Sequence, residues 1–251
     1  MEWSDSALVL NIGKFREADI WLHLLTRRHG LIHAFAFGGS HSRRRFPGCL
    51  DLLNRLIVHI DTGRTGRFPN LKEAVFITGP RRLRNDGDRL GTAINCVRFL
   101  EALAGPPDEE GRLFDLTGSI LALLEQSAEM PEMFPLWFRF RLAFEQGFAP
   151  DFLRCSQCGR ELTKDLRGAL WRVSEGSVRC ALCSSNGDTA QSIHLEPGMV
   201  AALIAFQHDS PGMWRVEGLP TEERQELIRI VDEFIEYHLG LRWERGRFVK
   251  A

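Results

Sequence analysis

Cys155-Ser156-Gln157-Cys158-Gly159 and Cys180-Ala181-Leu182-Cys183 decide how the second half of this chain is read, because two CxxC pairs can close a tetrahedral thiolate site around one Zn²⁺. Twenty-one residues separate the pairs, just beyond the usual ~15 to 20 of the ribbon pattern. They carry a hairpin signal: Leu170-Trp171-Arg172-Val173, a turn at Glu175-Gly176, then Val178-Arg179. Gly159, directly after the second cysteine, is expected at positive φ, which lets backbone amides turn toward the thiolates. Four thiolates leave no open coordination position. The expected zinc, one per chain and held by Cys155, Cys158, Cys180 and Cys183, is therefore structural. A disulfide framework and a redox CxxC are the competing readings, disfavoured by these spacings in a long chain that starts without a secretory signal.

Outward from the cysteines the pattern is helical on both sides. Leu90, Ile94, Val97, Leu100 and Leu103 recur at threes and fours up to a stop at Gly105-Pro106-Pro107. Leu113 to Leu124 marks a second helix, and Pro135 to Phe144 a third that stops at Gly147. Trp137, Phe140, Arg141 and Phe144 share one face of that third helix, read as a core stripe with a rim arginine. Beyond the cysteines and an Asn186-Gly187-Asp188 linker, Glu196-Pro197 opens a run through Phe206. Pro220-Thr221-Glu222-Glu223 then supplies an N-cap and an acidic first turn for a helix reaching Gly240.

Residues 6 to 78 change character. Ala7 to Ile12, Ile20 to Thr26, Leu31 to Phe37, Leu52 to Ile60 and Lys72 to Ile77 read as short strands between Gly-containing turns. Five strands in so few residues suit an OB-like Greek-key barrel. The expected fold class is thus α+β: an OB-fold β-barrel over residues 1–80, then a helical domain over 81–251 with an inserted zinc ribbon at 151–190. Cys49 and Cys96, in apolar surroundings, are expected to pack as small hydrophobes.

The chain of 251 residues has a formal charge of −1, 44% hydrophobic and 26% charged residues, an ordinary soluble composition. Its start lacks a secretory signal and no apolar run approaches a membrane span, so a reducing, cytoplasmic setting without membrane contact is expected. Charge is unevenly spread. Residues 1–80 hold eleven Lys/Arg against seven Asp/Glu, and no carboxylate lies between Asp19 and Asp51. That stretch carries Arg27, Arg28, Arg43, Arg44 and Arg45 with His23, His29, His33 and His41. A polyanion is the class of partner this implies.

The loop Gly38-Gly39-Ser40-His41-Ser42-Arg43-Arg44-Arg45-Phe46 sets three guanidinium groups beside small residues, able to follow a phosphate backbone while Phe46 either stacks on a base or packs inward. Lys14 and Arg16 before the second strand, Arg64 and Arg67 before the fifth, and Arg81, Arg82 and Arg84 after the barrel can extend a groove. Enzymatic signatures are missing: Gly13-Lys14 is followed by Phe15 rather than Ser or Thr, neither HExxH nor GxSxG occurs, and no HxE lies upstream of a CxxC pair as a zinc deaminase would require. No catalytic residue is expected, and no carboxylate cluster in the basic region can hold Mg²⁺ for a nuclease.

Together these residues resemble the RecO family of bacterial recombination mediators. The resemblance covers nearly the full chain and is carried by Ala7-Leu8-Val9-Leu10, Glu17-Ala18-Asp19, Leu24 to Gly30, the Gly38 to Gly48 basic loop, Leu142 to Pro150 and the spaced cysteines. It implies a non-enzymatic, cytoplasmic, nucleoid-associated protein that binds single- and double-stranded DNA and anneals complementary strands. With RecR, such a protein helps load RecA onto strands coated with single-strand-binding protein, whose C-terminal tail is expected on the helical body. Carried residue by residue, it implies DNA contacts for Arg43, Arg44 and Arg45 and for Arg27 and Arg28 near the loop's base. One departure is visible: Phe37 stands before the first loop glycine, where family members often have Lys. The alternative is a zinc-ribbon protein-interaction scaffold without a direct DNA role.

Overall fold

Alternation of period two builds the first part of the chain. The computed structural model describes residues 1–63, 69–103, 111–129, 133–164, 167–184, 192–209, 218–245 and 247–250. Arg64, Arg67, the 105–107 helix stop and the 186–188 linker lie outside them. Strands β1 (Glu2–Lys14), β2 (Ile20–Thr26), β3 (Gly30–Ala36), β4 (Arg55–Asp61) and β5 (Asn70–Thr78) close a barrel in the order β1-β2-β3-β5-β4. All neighbours are antiparallel except β3 and β5, which meet in parallel at Phe35 and Asn70. Inward positions Ala7, Val9, Leu22, Leu24, Ala34, Ala36, Leu56, Val58, Ile60 and Leu71 form one buried core. β1 is longer than its apolar run Ala7 to Ile12 because it serves two neighbours. Glu2 to Leu8 pair with β4, Ala7 to Lys14 pair with β2, and a register shift between Val9 and Asn11 bends one ladder into the other.

The chain forms two compact units: residues 1–93 with 104–126, and 94–103 with 127–251. In the first, helices α1 (Arg82–Asn85) and α3 (Arg112–Gln126) join the barrel, with α2 (Gly87–Leu103) beginning there. The Glu125 carboxylate accepts the amides of Arg81, Arg82 and Leu83 at 2.9–3.0 Å, satisfying donors that the start of α1 would otherwise leave orphaned. Arg84, expected to extend a groove, instead donates to the Leu52 carbonyl and to Asn54 and pairs with Asp51. It ties α1 to the barrel.

The second unit is built on aromatic packing. α4 (Phe134–Glu145), α5 (Pro197–His208) and α6 (Thr221–Leu239) surround a three-stranded sheet ordered β7-β6-β8, with β6 at Ala169–Arg172, β7 at Ser177–Cys180 and β8 at Ile193–Leu195. The expected hairpin is present; the third strand has no signal of its own. α4 is buried on more than the expected stripe: Phe134, Leu136, Trp137, Phe138, Arg139, Phe140, Leu142 and Ala143 are all buried, so it is a central helix. Phe140 stacks on Phe206 with centroids 5.1 Å apart and meets Phe234 edge-on at 5.3 Å. Arg139 reaches Asp232 at 2.8 Å and lies over the Phe248 ring, so its charge is paired where it is buried. α6 begins one residue earlier than a Thr cap would require: the cap position is Pro220, Thr221 is the first helical residue, and Glu222 and Glu223 fall in the first turn. The helix ends at Gly240, after which β9 (Leu241–Glu244) and β10 (Arg247–Lys250) form a hairpin. Cys49 and Cys96 are both buried, and burial pushes the Cys96 thiol up to about 12. No described helix is long and apolar enough to cross a membrane.

Replacing Glu125 with Ala strips three amides of their acceptor and is expected to destabilise the first unit by about 1–2 kcal/mol, read as a lower urea midpoint with unchanged slope.

Candidate nucleic-acid interface and candidate metal centre

The basic loop is held by its apolar end. Phe46 is 4% exposed and lies in the barrel core with Cys49 and Ala74, so the ring packs inward and is not offered to a base. Removing an aromatic ring from water outweighs leaving it beside three charges. Next to this plug the Arg45 carbonyl accepts the Ala74 amide at 3.0 Å. The Arg45 guanidinium donates to the Phe37 carbonyl at 2.6 Å and to the Ser42 hydroxyl at 3.4 Å, and lies 5.0 Å from the Phe46 ring centre. Arg45 is thus partly spent on fixing the loop. Arg43 and Arg44 are exposed and make no ion pair or hydrogen bond among the described residues. The loop parts two clefts. One, of about 590 Å³, is lined by Arg43, His41, Ser40 and Ile20; the other, of about 640 Å³, by Arg44, Arg45, Val75 and Phe76.

Lys14 and Arg16 join this end of the barrel. Lys14 pairs with Ile20 and Ile20 with Ala36, so the β1–β2 connection and the start of the basic loop are neighbours. They are latched: Asp19 accepts the Gly38 amide at 2.8 Å, and Ser40 donates through both amide and hydroxyl to the Ala18 carbonyl. The carboxylate that bounds the acid-free stretch is thereby consumed within the fold.

Arg27 and Arg28 do not sit at the loop's base. They occupy the β2–β3 turn, at the opposite end of β3 from Phe37, a seven-residue strand away, or roughly 20 Å. Both are paired. Arg27 grips Asp115 through two nitrogens, at 2.7 and 3.3 Å, which holds that carboxyl below its usual range through the shared hydrogen bond. Arg28 donates to the Ser4 carbonyl at 2.8 Å and pairs with Asp5 at 3.5 Å, while Asp5 also takes the Arg28 amide and His29. A phosphate reaching them must compete with carboxylates, which Arg43 and Arg44 do not require. The sequence signal was the acidic partner, but Asp115 is 88 residues away.

Outward positions on β1–β3 also carry rings that charge counting missed. Trp21 and Phe35 are cross-strand partners, as are His23 and His33, whose rings stack 4.1 Å apart at 8°. Phe15 and Phe37 flank Phe35.

In the second unit the four cysteines converge, all Sγ atoms lying within 4.8 Å of one another. Gly159 has φ of 71°, as the knuckle requires, and donates to the Cys155 carbonyl at 2.9 Å. The Ser156 amide donates to Val178 and the Cys180 amide to Cys155 Sγ at 3.3 Å, which locks the first knuckle onto β7. Cys158 and Cys180 Sγ are 3.8 Å apart, close to the edge of a thiolate tetrahedron with metal–sulfur bonds of about 2.3 Å. All six cysteines are free thiols. Burial raises the Cys155 pKa, but the amides of Cys180, Cys158 and Gln157 outweigh it and bring it down to about 6. Hydrogen bonding with the Cys158 and Cys180 sulfurs pushes the Cys183 thiol up to about 12. One sulfur poised as thiolate among partners that share protons is a donor set suited to a soft divalent ion.

The family described as "Recombination protein O N terminal" matches residues 1–80, and "Recombination protein O C terminal" matches 84–247. A "DNA repair protein RecO" of Nitratidesulfovibrio vulgaris is 44% identical over 250 residues, 99% of both chains. One of Lawsonia intracellularis is 40% identical over 254 residues, covering both chains in full. One of Myxococcus xanthus is 30% identical over 98% of this chain and 96% of its own.

Loading the thiol cluster is expected to release protons at pH 7 and to weaken as pH falls through about 6, where Cys155 protonates. Proton release in weak buffer during cadmium titration checks this. Cys180→Ser should abolish stoichiometric uptake.

Proposed function

Because this chain belongs to the RecO family of DNA repair proteins, we propose that it is a recombination mediator that binds single- and double-stranded DNA and anneals complementary strands. With RecR, it helps load RecA onto DNA coated with single-strand-binding protein. In this reading the barrel, residues 1–80, is an OB-fold and the DNA-binding domain, and residues 81–251 form the helical body that receives the single-strand-binding protein tail. The strand order β1-β2-β3-β5-β4 supports the OB assignment. The protein works in the cytoplasm, at the nucleoid, without enzymatic turnover.

The observation that carries the reading is the exposed Arg43 and Arg44, unpaired among the described residues, on a loop whose neighbours are pinned. Guanidinium groups held outward capture phosphate without reading sequence. Lys14 and Arg16 extend the same end, and Arg45 adds a charge that is already half committed to Phe37. Because the arginines divide between two clefts, one loop can address two backbones while bases stay free to pair. Annealing follows from raised local concentration of strands rather than from bond chemistry. Zn²⁺ is the proposed ion at Cys155, Cys158, Cys180 and Cys183. There it would staple the β6–β7 hairpin and supply folding energy, with no catalytic part.

Replacing Arg43, Arg44 and Arg45 together with Ala is expected to lower the salt slope of single-strand binding by about 1.5 to 2, measured by fluorescence anisotropy. An unchanged slope would place the site elsewhere. Complementary strands coated with single-strand-binding protein should anneal in the absence of ATP, faster with RecR. A protein-only scaffold would show neither annealing nor salt-dependent affinity. Elemental analysis should find about one zinc per chain, and less than half an equivalent in freshly purified protein would count against the ion.

A further inference from the structure

Phe15 and Phe37 stand out on the barrel, 54% and 45% exposed where the rings could have been turned inward or replaced by polar residues. A single exposed ring needs no explanation. These two do, because both touch Phe35: Phe15 meets it edge-on at 5.5 Å, and Phe37 lies nearly parallel to it at 6.3 Å and 17°. Trp21 is the cross-strand partner of Phe35. It spreads over Gly13, where a Cβ would lie 2.4 Å from the indole. The result is a row of π-faces across the outer side of β1–β3.

Basic groups frame the row. The Arg16 guanidinium lies 5.4 Å from the Phe15 ring centre, Lys14 precedes it, and the Phe37 carbonyl is the group that Arg45 grips. Of the two carboxylates in the β1–β2 connection, Asp19 is taken by the Gly38 amide, and the exposed Glu17 is outnumbered by Lys14, Arg16 and the loop arginines. An apolar protein segment would be met by these cations along its edges, whereas a nucleic-acid strand presents flat apolar bases beside a continuous row of negative phosphates. Both exposed rings rest against Phe35, so each can take one base of an extended strand.

We propose that the outer face of β1–β3 is a nucleobase-stacking site specific for single strands, in which Phe15 and Phe37 are the stacking surfaces and Phe35 and Trp21 fix their spacing. The inference rests on the reading of the barrel as DNA-binding and adds to it how single strands are told from duplex. Paired bases in a duplex do not present these faces, so the ladder is silent there and only the arginine loop contributes.

The test compares the wild-type chain, F15A/F37A and F15L/F37L on three probes of equal length: a single-stranded oligonucleotide, the same backbone without bases, and a duplex. F15A/F37A should weaken single-strand binding by about fivefold or more per ring. The abasic and duplex affinities and the salt slope should stay unchanged. F15L/F37L, which keeps apolar bulk without a π-face, should stay as weak. For the wild type, the strand with bases should bind more tightly than the abasic one, a comparison that needs no variant to fold. Equal loss on all probes, no loss, or full rescue by leucine would each overturn the stacking site while leaving the arginine reading intact. Absence of salt-dependent binding to any probe by the wild type would sink both.

Discussion

Insertion of the Phe46 ring into the barrel is the constraint on which the basic end of the molecule depends. A loop of glycines, serines and three arginines has every entropic reason to wander. Closing its far end with a buried aromatic and a buried thiol, Cys49, leaves only the residues between Gly38 and Arg45 to be ordered. These are then tied down by hydrogen bonds to Asp19, Ala18 and Phe37. The cost of holding like charges together is offset by apolar burial rather than by neutralising partners. That is why two of the three guanidinium groups remain unpaired among the described residues.

Three acidic residues nearby are disposed of by the same logic, while Glu17 and Glu73 stay exposed. Asp19 is spent on a backbone amide and Asp5 on the Arg28 amide, Arg28 and His29. Asp115, from α3, occupies Arg27. The two arginine groups, similar in sequence, therefore differ in what a phosphate would meet. At the β2–β3 turn the cations are structural fasteners. At the loop they are surface charge.

Much of this was legible in the sequence, and the failures have physical causes. Gly-bounded apolar runs placed all five barrel strands, but β1 extends to both sides of its run because barrel closure, a tertiary event, recruits polar residues into ladders. β8 has three residues and pairs with β6 across a long connection, and no local pattern marks so short a strand. β9 and β10 escaped for the same reason. On β2 and β3 the outward face is apolar apart from His23 and His33, so local alternation is weak: Trp21 and Phe35 look no more exposed in sequence than Leu22 and Ala34. Phe46, beside three arginines, carried no mark of burial. The cysteines were readable because a metal demands both residue type and spacing.

In the second unit the thiolate cluster and the aromatic core are two ends of one device. Cys180 closes β7 and its amide reaches Cys155. Across β6, the fully buried Trp171 meets Phe152 at 5.1 Å and Phe234 at 5.2 Å, which joins the knuckles to the packing of α4, α5 and α6. A metal there would hold a small sheet that has too little surface to hold itself. The central claim concerns the first unit: the Phe46-anchored loop and its latched neighbour are where nucleic acid lands. Hydrogen exchange of the full chain with and without a single-stranded oligonucleotide tests it most directly. The account predicts new protection concentrated at residues 14–20 and 37–46. Protection confined to residues 127–251, with these segments unchanged, would contradict it.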